Sequence, residues 1–117
     1  MGKTQTSFRT EIPPGTLEML ILKTLSRLGP AHGYGIAQFI QQISEHVLQV
    51  EEGSLYPALQ RLLIKGWVTA EWGHSANNRR ARYYRLTSAG REQLSVEVSE
   101  FQRVIEAIAR VIQPAEG

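Results

Sequence analysis

Cysteine is absent from this chain of 117 residues, and aspartate is absent too: all eleven acids are glutamate. Without a thiol there is no disulfide, no cysteine-based zinc cluster and no thiol nucleophile, and nothing opposes a reducing, cytoplasmic setting. Histidine is scarce. His32, His46 and His74 stand far apart in different local settings, with no HExxH or paired-ligand spacing. A G-x-S-x-G turn is missing as well, so nucleophilic catalysis has no visible seat. The expectation is a protein that is not an enzyme and needs no metal or cofactor. Long hydrophobic runs are also lacking, none approaching the roughly 20 apolar residues of a membrane helix. The polar start does not read as a secretion signal. Met1-Gly2-Lys3-Thr4-Gln5-Thr6 fits the loose myristoylation pattern, which is too short and common to imply an anchor.

What is present suits one globular domain: 42% of the residues are hydrophobic. A domain this small gains from subunit association, because it buries a smaller share of its surface than a large one. The net charge is only +2, but its distribution is uneven. Residues 61–91 hold seven Lys or Arg and one acid, Glu71, a net of +6, while the remainder sums to −4. One region is made to meet a polyanion and the rest is not.

Residues 1–12 are polar and aperiodic, and read as a flexible arm. Pro13-Pro14-Gly15 breaks the chain, and Thr16 is a cap candidate for a helix with Glu18 in its first turn. Leu17, Leu20, Ile21, Thr24, Leu25 and Leu28 recur at helical spacing until Gly29-Pro30 stops it. His32-Gly33-Tyr34-Gly35 opens a second helix with an inner stripe of Ile36, Phe39, Ile40 and Ile43. The glycines lack a Walker lysine or GxGxxG spacing, so close packing of the helix start explains them better than a phosphate cradle. His32 is a candidate either for capping that helix or, with Tyr34, for touching a phosphate. Val47–Val50 reads as an extended connector.

The stretch from Glu52 to Gly90 carries the most information. A helix starting near Glu52–Ser54 tolerates Pro57 in its first turn. It buries Leu55, Leu59, Leu62 and Leu63 and stops at Gly66. Ser54, Tyr56, Gln60, Arg61 and Lys65 are left on its outer side, where such side chains reach base edges and phosphates. Trp67–Trp72 has strand composition, Gly73–Asn78 is turn chemistry, and Arg79–Thr87 returns. Four arginines, Arg79, Arg80, Arg82 and Arg85, fall on both faces of that returning strand, and arginine on both faces is not core packing. The tryptophans read as packing residues. A helix for the major groove beside a basic hairpin for the flanking backbone is what a winged helix-turn-helix requires.

Thr87 or Ser88 then caps a last helix over about 88–112. Leu94, Val98, Phe101, Ile105, Ile108 and Ile112 recur at spacings of 4 and 3, an a/d heptad seam. At about 1.5 Å per residue this helix overshoots a three-helix core. It needs a partner, the simplest being the same helix of a second copy. The predicted fold class is mainly α with a small β hairpin: a winged helix-turn-helix over 13–87, a dimerisation helix over 88–112 and a tail over 113–117.

Four blocks resemble the PadR family of bacterial transcriptional regulators, in family order and spacing over about residues 13–112. They are Thr16-Leu17-Glu18-Met19-Leu20-Ile21-Leu22, His32-Gly33-Tyr34-Gly35-Ile36, Glu52-Gly53-Ser54-Leu55-Tyr56-Pro57-Ala58-Leu59 and Arg82-Tyr83-Tyr84-Arg85-Leu86-Thr87-Ser88-Ala89-Gly90. The chain looks like the short subfamily, with a single C-terminal helix. The resemblance implies a homodimer that usually represses a promoter near its own gene. It also implies that some members release DNA on binding phenolic acids or flat hydrophobic drugs, the latter in a pore between subunits lined by an aromatic of the last helix. Phe101 sits at a similar place, where plain packing is the alternative.

The resulting expectation is a pseudo-palindromic operator on double-stranded DNA, with reading helices in major grooves about 34 Å apart. Ser54, Tyr56 and Gln60 would address bases. Arg61, Lys65, Arg79, Arg80 and Arg82, helped by Asn78, would hold phosphates. Two other readings stand beside it: a sensor of a small aromatic effector at the dimer seam, and a winged-helix module whose basic hairpin binds an acidic protein.

Overall fold

The computed structural model describes residues 10–13 and 15–114. Along them run β1 (Thr10–Glu11), α1 (Thr16–Leu28), β2 (Ala31–His32), α2 (Gly33–Ile43), β3 (Leu48–Gln49), α3 (Glu52–Lys65), β4 (Val68–His74), β5 (Arg80–Leu86) and α4 (Ser88–Ile112). Strand β5 lies between β2 and β4 in an antiparallel sheet, and β1 pairs in parallel with β3. The fold is therefore mainly α with a small β hairpin, as the residue pattern predicts. Thr10 and Glu11, placed in the N-terminal arm by composition, form β1 beside the connector. The remainder of that arm, residues 1–9, and the end of the tail, residues 115–117, lie outside the described residues.

The core gathers one face of each of the first three helices against the inner face of the sheet. Ile21, Leu22, Ile36, Leu55, Leu59, Leu62 and Val68 are completely enclosed, and Tyr84 and Leu86 close the layer from β5. Burying each aliphatic side chain contributes about 1.5–3 kcal/mol. The one buried polar side chain in this core, Thr24, is satisfied by donating its hydroxyl to the Leu20 carbonyl at 2.8 Å. Two positions on the helical stripes fall elsewhere. Leu28 and Ile43, each the last residue of its helix, are exposed.

The helix ends show which local signals hold. Gly15, in the left-handed region at φ 84°, takes the cap position of α1 without a side-chain bond, so Thr16 is the first helical residue and not the cap. At α2 the His32 Nδ1 accepts from the Gly35 N–H at 3.0 Å, which makes capping the local job of this histidine. Helix α3 ends in a Schellman motif on Gly66 (φ 78°), with Trp67 N–H donating to the Leu62 carbonyl and Gly66 N–H to that of Leu63.

Helix α4 is joined to this end of α3 without slack. The Thr87 hydroxyl accepts from the Gly90 N–H and donates to the Gly66 carbonyl, both at 2.9 Å, and the Thr87 N–H donates to the Trp67 carbonyl. A Cβ at position 90 would sit 2.1 Å from the Trp67 carbonyl oxygen, so only glycine allows the approach. Leu94 is 6% exposed and belongs to the chain's own core, which corrects its place in a seam between copies. Val98 packs at the edge of that core, and from Ser99 onward every described residue of α4 is exposed. The radius of gyration, 16.5 Å, exceeds the roughly 13 Å of a compact chain of this length because this helix projects.

Candidate nucleic-acid interface

The outer side of α3 carries the residues the sequence nominates. With Leu55, Ala58, Leu59 and Leu62 turned into the core, Gln60 lies on the outermost line of the helix, between Pro57 and Ile64. Pattern reading alone does not single out Ile64, because an apolar residue beside Leu62 and Leu63 reads as core. It is exposed one turn beyond Gln60, on the same outer line of the helix.

The two flanks of α3 differ. On the flank toward α2, Tyr56 lays its ring over the first residue of that helix: a Cβ on Gly33 would meet the Tyr56 hydroxyl oxygen at 2.7 Å. This contact accounts for glycine at the start of α2. Burial, reinforced by the negative charge of Glu52 and by Tyr84, pushes the Tyr56 pKa above its ordinary 10.0, so the phenol remains a donor. On the flank toward α1, Arg61 and Lys65 meet Glu18. The Arg61 Nε stands 2.5 Å from one carboxylate oxygen and the Lys65 Nζ 3.2 Å from the other. Lys65 also lies over the Trp67 ring at 4.8 Å. Burial acts to raise the pKa of Glu18, but the hydrogen bonds and charges of Arg61 and Lys65 together outweigh it and hold the carboxyl below its usual range.

The hairpin of β4 and β5 is longer and tighter than its composition suggests, with pairing from Val68↔Leu86 out to His74↔Arg80. Its tip is closed by the Ser75 N–H donating to the Arg79 carbonyl and the Asn78 N–H to that of Ser75, each at 2.8 Å. Asn78 takes the left-handed conformation the turn needs, at φ 60°. Arg80, Arg82, Tyr84 and Leu86 share one face, as alternation requires. Leu86 and Tyr84 fill the core end, and the arginines continue that face beyond it. The Arg80 guanidinium lies over the Trp72 ring at 4.4 Å, and that of Arg82 over Tyr84 at 6.0 Å. Trp72 is thus no core residue: it is exposed and carries Arg80 on its face. Among the described residues no carboxylate stands within 4.0 Å of Arg79, Arg80 or Arg82, whereas Arg85, on the opposite face, approaches Glu71 at 3.9 Å.

Between hairpin and helices lies an open cleft of about 780 Å³, lined by His32, Tyr34 and Tyr56 on one wall and Trp72, Arg80 and Arg82 on the other. The fold brings Tyr56 and the hairpin arginines to this cleft. It puts Ser54 and Arg61 on a separate hollow beside Ile12 and Pro13. No group of three or more His or Glu side chains that could hold a metal is present among the described residues, and no described helix is long and apolar enough to cross a membrane.

A buried-face helix with a polar outer face, followed directly by a basic two-stranded hairpin, defines a winged-helix regulator. Residues 21–96 match the model of the transcriptional regulator PadR-like family. The chain is 34% identical over 100 residues to an uncharacterized protein X of Lysinibacillus sphaericus, covering 86% of this chain and 91% of that one. It is 37% identical over 76 residues to the transcriptional regulator Rv3488 of Mycobacterium tuberculosis, covering 65% and 66%. A solved transcriptional regulator from Clostridium thermocellum superposes with a TM-score of 0.77 at 25% identity, over 85% of this chain and 95% of that one. The chain belongs to the PadR-like family of transcriptional regulators. Regulators of this family bind DNA as transcription factors.

Proposed function

We propose that the protein acts as a homodimer on a pseudo-palindromic operator and represses a promoter near its own gene. The observation that carries the DNA-binding part is the asymmetry of the hairpin. The guanidiniums of Arg80 and Arg82 are held on aromatic rings, with no carboxylate within 4.0 Å among the described residues, on the face that continues toward the open cleft beside α3. Arg85, on the other face, meets Glu71. In this reading Arg79, Arg80 and Arg82, with Asn78 at the tip, hold phosphates, and Ser54, Tyr56 and Gln60 address bases. Arg61 and Lys65 also reach toward phosphate, but only by sharing or leaving Glu18.

The dimer is supported by α4. Phe101, Ile105, Ile108 and Ile112 leave the chain's own core behind and stay exposed, Ile112 by 74%. Val104 and Val111 add a third apolar line beside them. A stripe of this width is what a helix presents to a bundle and exceeds the narrow seam of a two-stranded coil. A second copy supplies such a surface.

The test is an anisotropy titration of the gene's own upstream duplex, against random-sequence duplex as competitor, combined with sedimentation to count subunits. The upstream duplex should bind more tightly than random DNA, with two chains per site. Absence of binding to any duplex at low salt would move the basic hairpin to an acidic protein partner.

A further inference from the structure

The recognition helix and the wing differ in how their positive charge is held, and the difference points to a residue outside both. Glu18 belongs to α1, 43 and 47 positions before Arg61 and Lys65, and its side chain is only 14% exposed. It is fixed between the only two cations of α3. Counting Glu51 at the cap and Glu52 in the first turn, α3 and its partner Glu18 hold three carboxylates to two cations. The surface that would enter a major groove therefore carries no surplus positive charge. The outer atoms of Arg61 and Lys65 remain about half exposed, so phosphate can compete for them.

We infer that Glu18 is a specificity-determining residue of the DNA interface, and this rests on the DNA-binding reading above. By holding Arg61 and Lys65, it stops the recognition helix from binding phosphate indiscriminately. Sequence-independent attraction is left to the wing. Specificity is a difference between affinities, so lowering the affinity for wrong DNA serves it as well as raising the affinity for the right one.

Glu18→Gln keeps the shape and an acceptor for Arg61 but removes the charge. In the full-length protein this variant should bind random-sequence duplex more tightly. Its logarithmic salt dependence should steepen by up to about 2, since each phosphate contact contributes roughly 0.9. The gain itself should then change about tenfold between roughly 50 and 200 mM salt. Affinity for the upstream duplex should rise less, so the ratio of specific to random binding falls. Adding Arg61→Gln and Lys65→Gln to the variant should erase the gain, which a merely structural tie would not do. Unchanged random-duplex affinity and slope in Glu18→Gln would overturn the inference, as would weaker binding, because Glu18 would then be orienting Arg61. If the unaltered protein binds neither duplex at low salt, the DNA-binding reading fails first and this inference with it.

Discussion

In α3 both cations are tied to a carboxylate of α1, whereas in the β4–β5 hairpin the guanidiniums of Arg80 and Arg82 rest on aromatic rings with no carboxylate within 4.0 Å among the described residues. The two regions also differ in what holds them. Helix α3 is fixed by four side chains in the core, whereas the outer half of the hairpin puts no side chain into the core and is held by its ladder, its tip bonds and surface contacts such as Arg80 on Trp72. On the proposed DNA-binding reading, the contrast is a division of labour within one interface. The helix assigned to discrimination would be held rigidly and kept electrostatically quiet. The wing assigned to attraction would carry ordered charge that is not neutralised, because a ring face orients a guanidinium without cancelling it.

Four measurements break or sharpen this contrast. The largest effect is expected from the buried side of α3: Leu62→Ala should cost about 2–5 kcal/mol of folding stability, read by denaturant titration. Arg80→Ala should cost no more than about 1 kcal/mol by the same measurement. If the two costs are similar, the hairpin is no independent outwork. Second, Gln60→Ala should lose about 1–3 kcal/mol on the preferred duplex if it makes a bidentate base contact. It should leave random-duplex affinity unchanged, and a uniform loss would place Gln60 among the phosphate contacts. Third, Arg80→Ala with Arg82→Ala should weaken binding to every sequence alike and flatten the logarithmic salt dependence by about 2. A loss confined to one sequence in an anisotropy series would reassign the wing to base reading.

The smallest effect concerns acid stability. The pKa of Glu18 is lower in the folded protein, so its contribution to stability is fully present above the unfolded carboxyl range, near about 4.3. That contribution is lost as pH falls through the depressed folded value. Melting temperatures from pH 6 to 3 should therefore fall less steeply for Glu18→Gln than for the unaltered chain. Parallel curves would show that the Arg61 and Lys65 pairs are screened away in solution.

What was legible in the sequence follows from the range of each signal. Periodicities of 2 and 3.6 residues are local, so the four helices, the hairpin, the outward face of α3 and a cap at Thr87 or Ser88, of which the structure selects Thr87, can be read directly. The Glu18 clamp could not: it joins residues more than 40 positions apart, and a glutamate in the first turn of α1 already has a sufficient local reason in the helix dipole. The pairing of Ala31–His32 with Tyr83–Tyr84 is equally silent, being two residues long. Heptad spacing draws Leu94 to the seam because it does not register where the chain's own core stops. The apolar character of Trp72 suggests packing, although the register puts it opposite Arg82 on the open half of the hairpin.

The joint of Thr87, Gly66 and Gly90 ties the start of α4 to the end of α3 across the base of the hairpin, which makes the angle between the two helices a property of bonded geometry. In a dimer fastened through α4, the two halves then act as the jaws of a fixed calliper. One extra base pair between half-sites displaces the second half-site by about 3.4 Å and turns it by roughly 34° around the duplex. A calliper without a flexible arm cannot follow that turn. An operator for this protein should tolerate base changes in its central spacer far better than a change in the spacer's length.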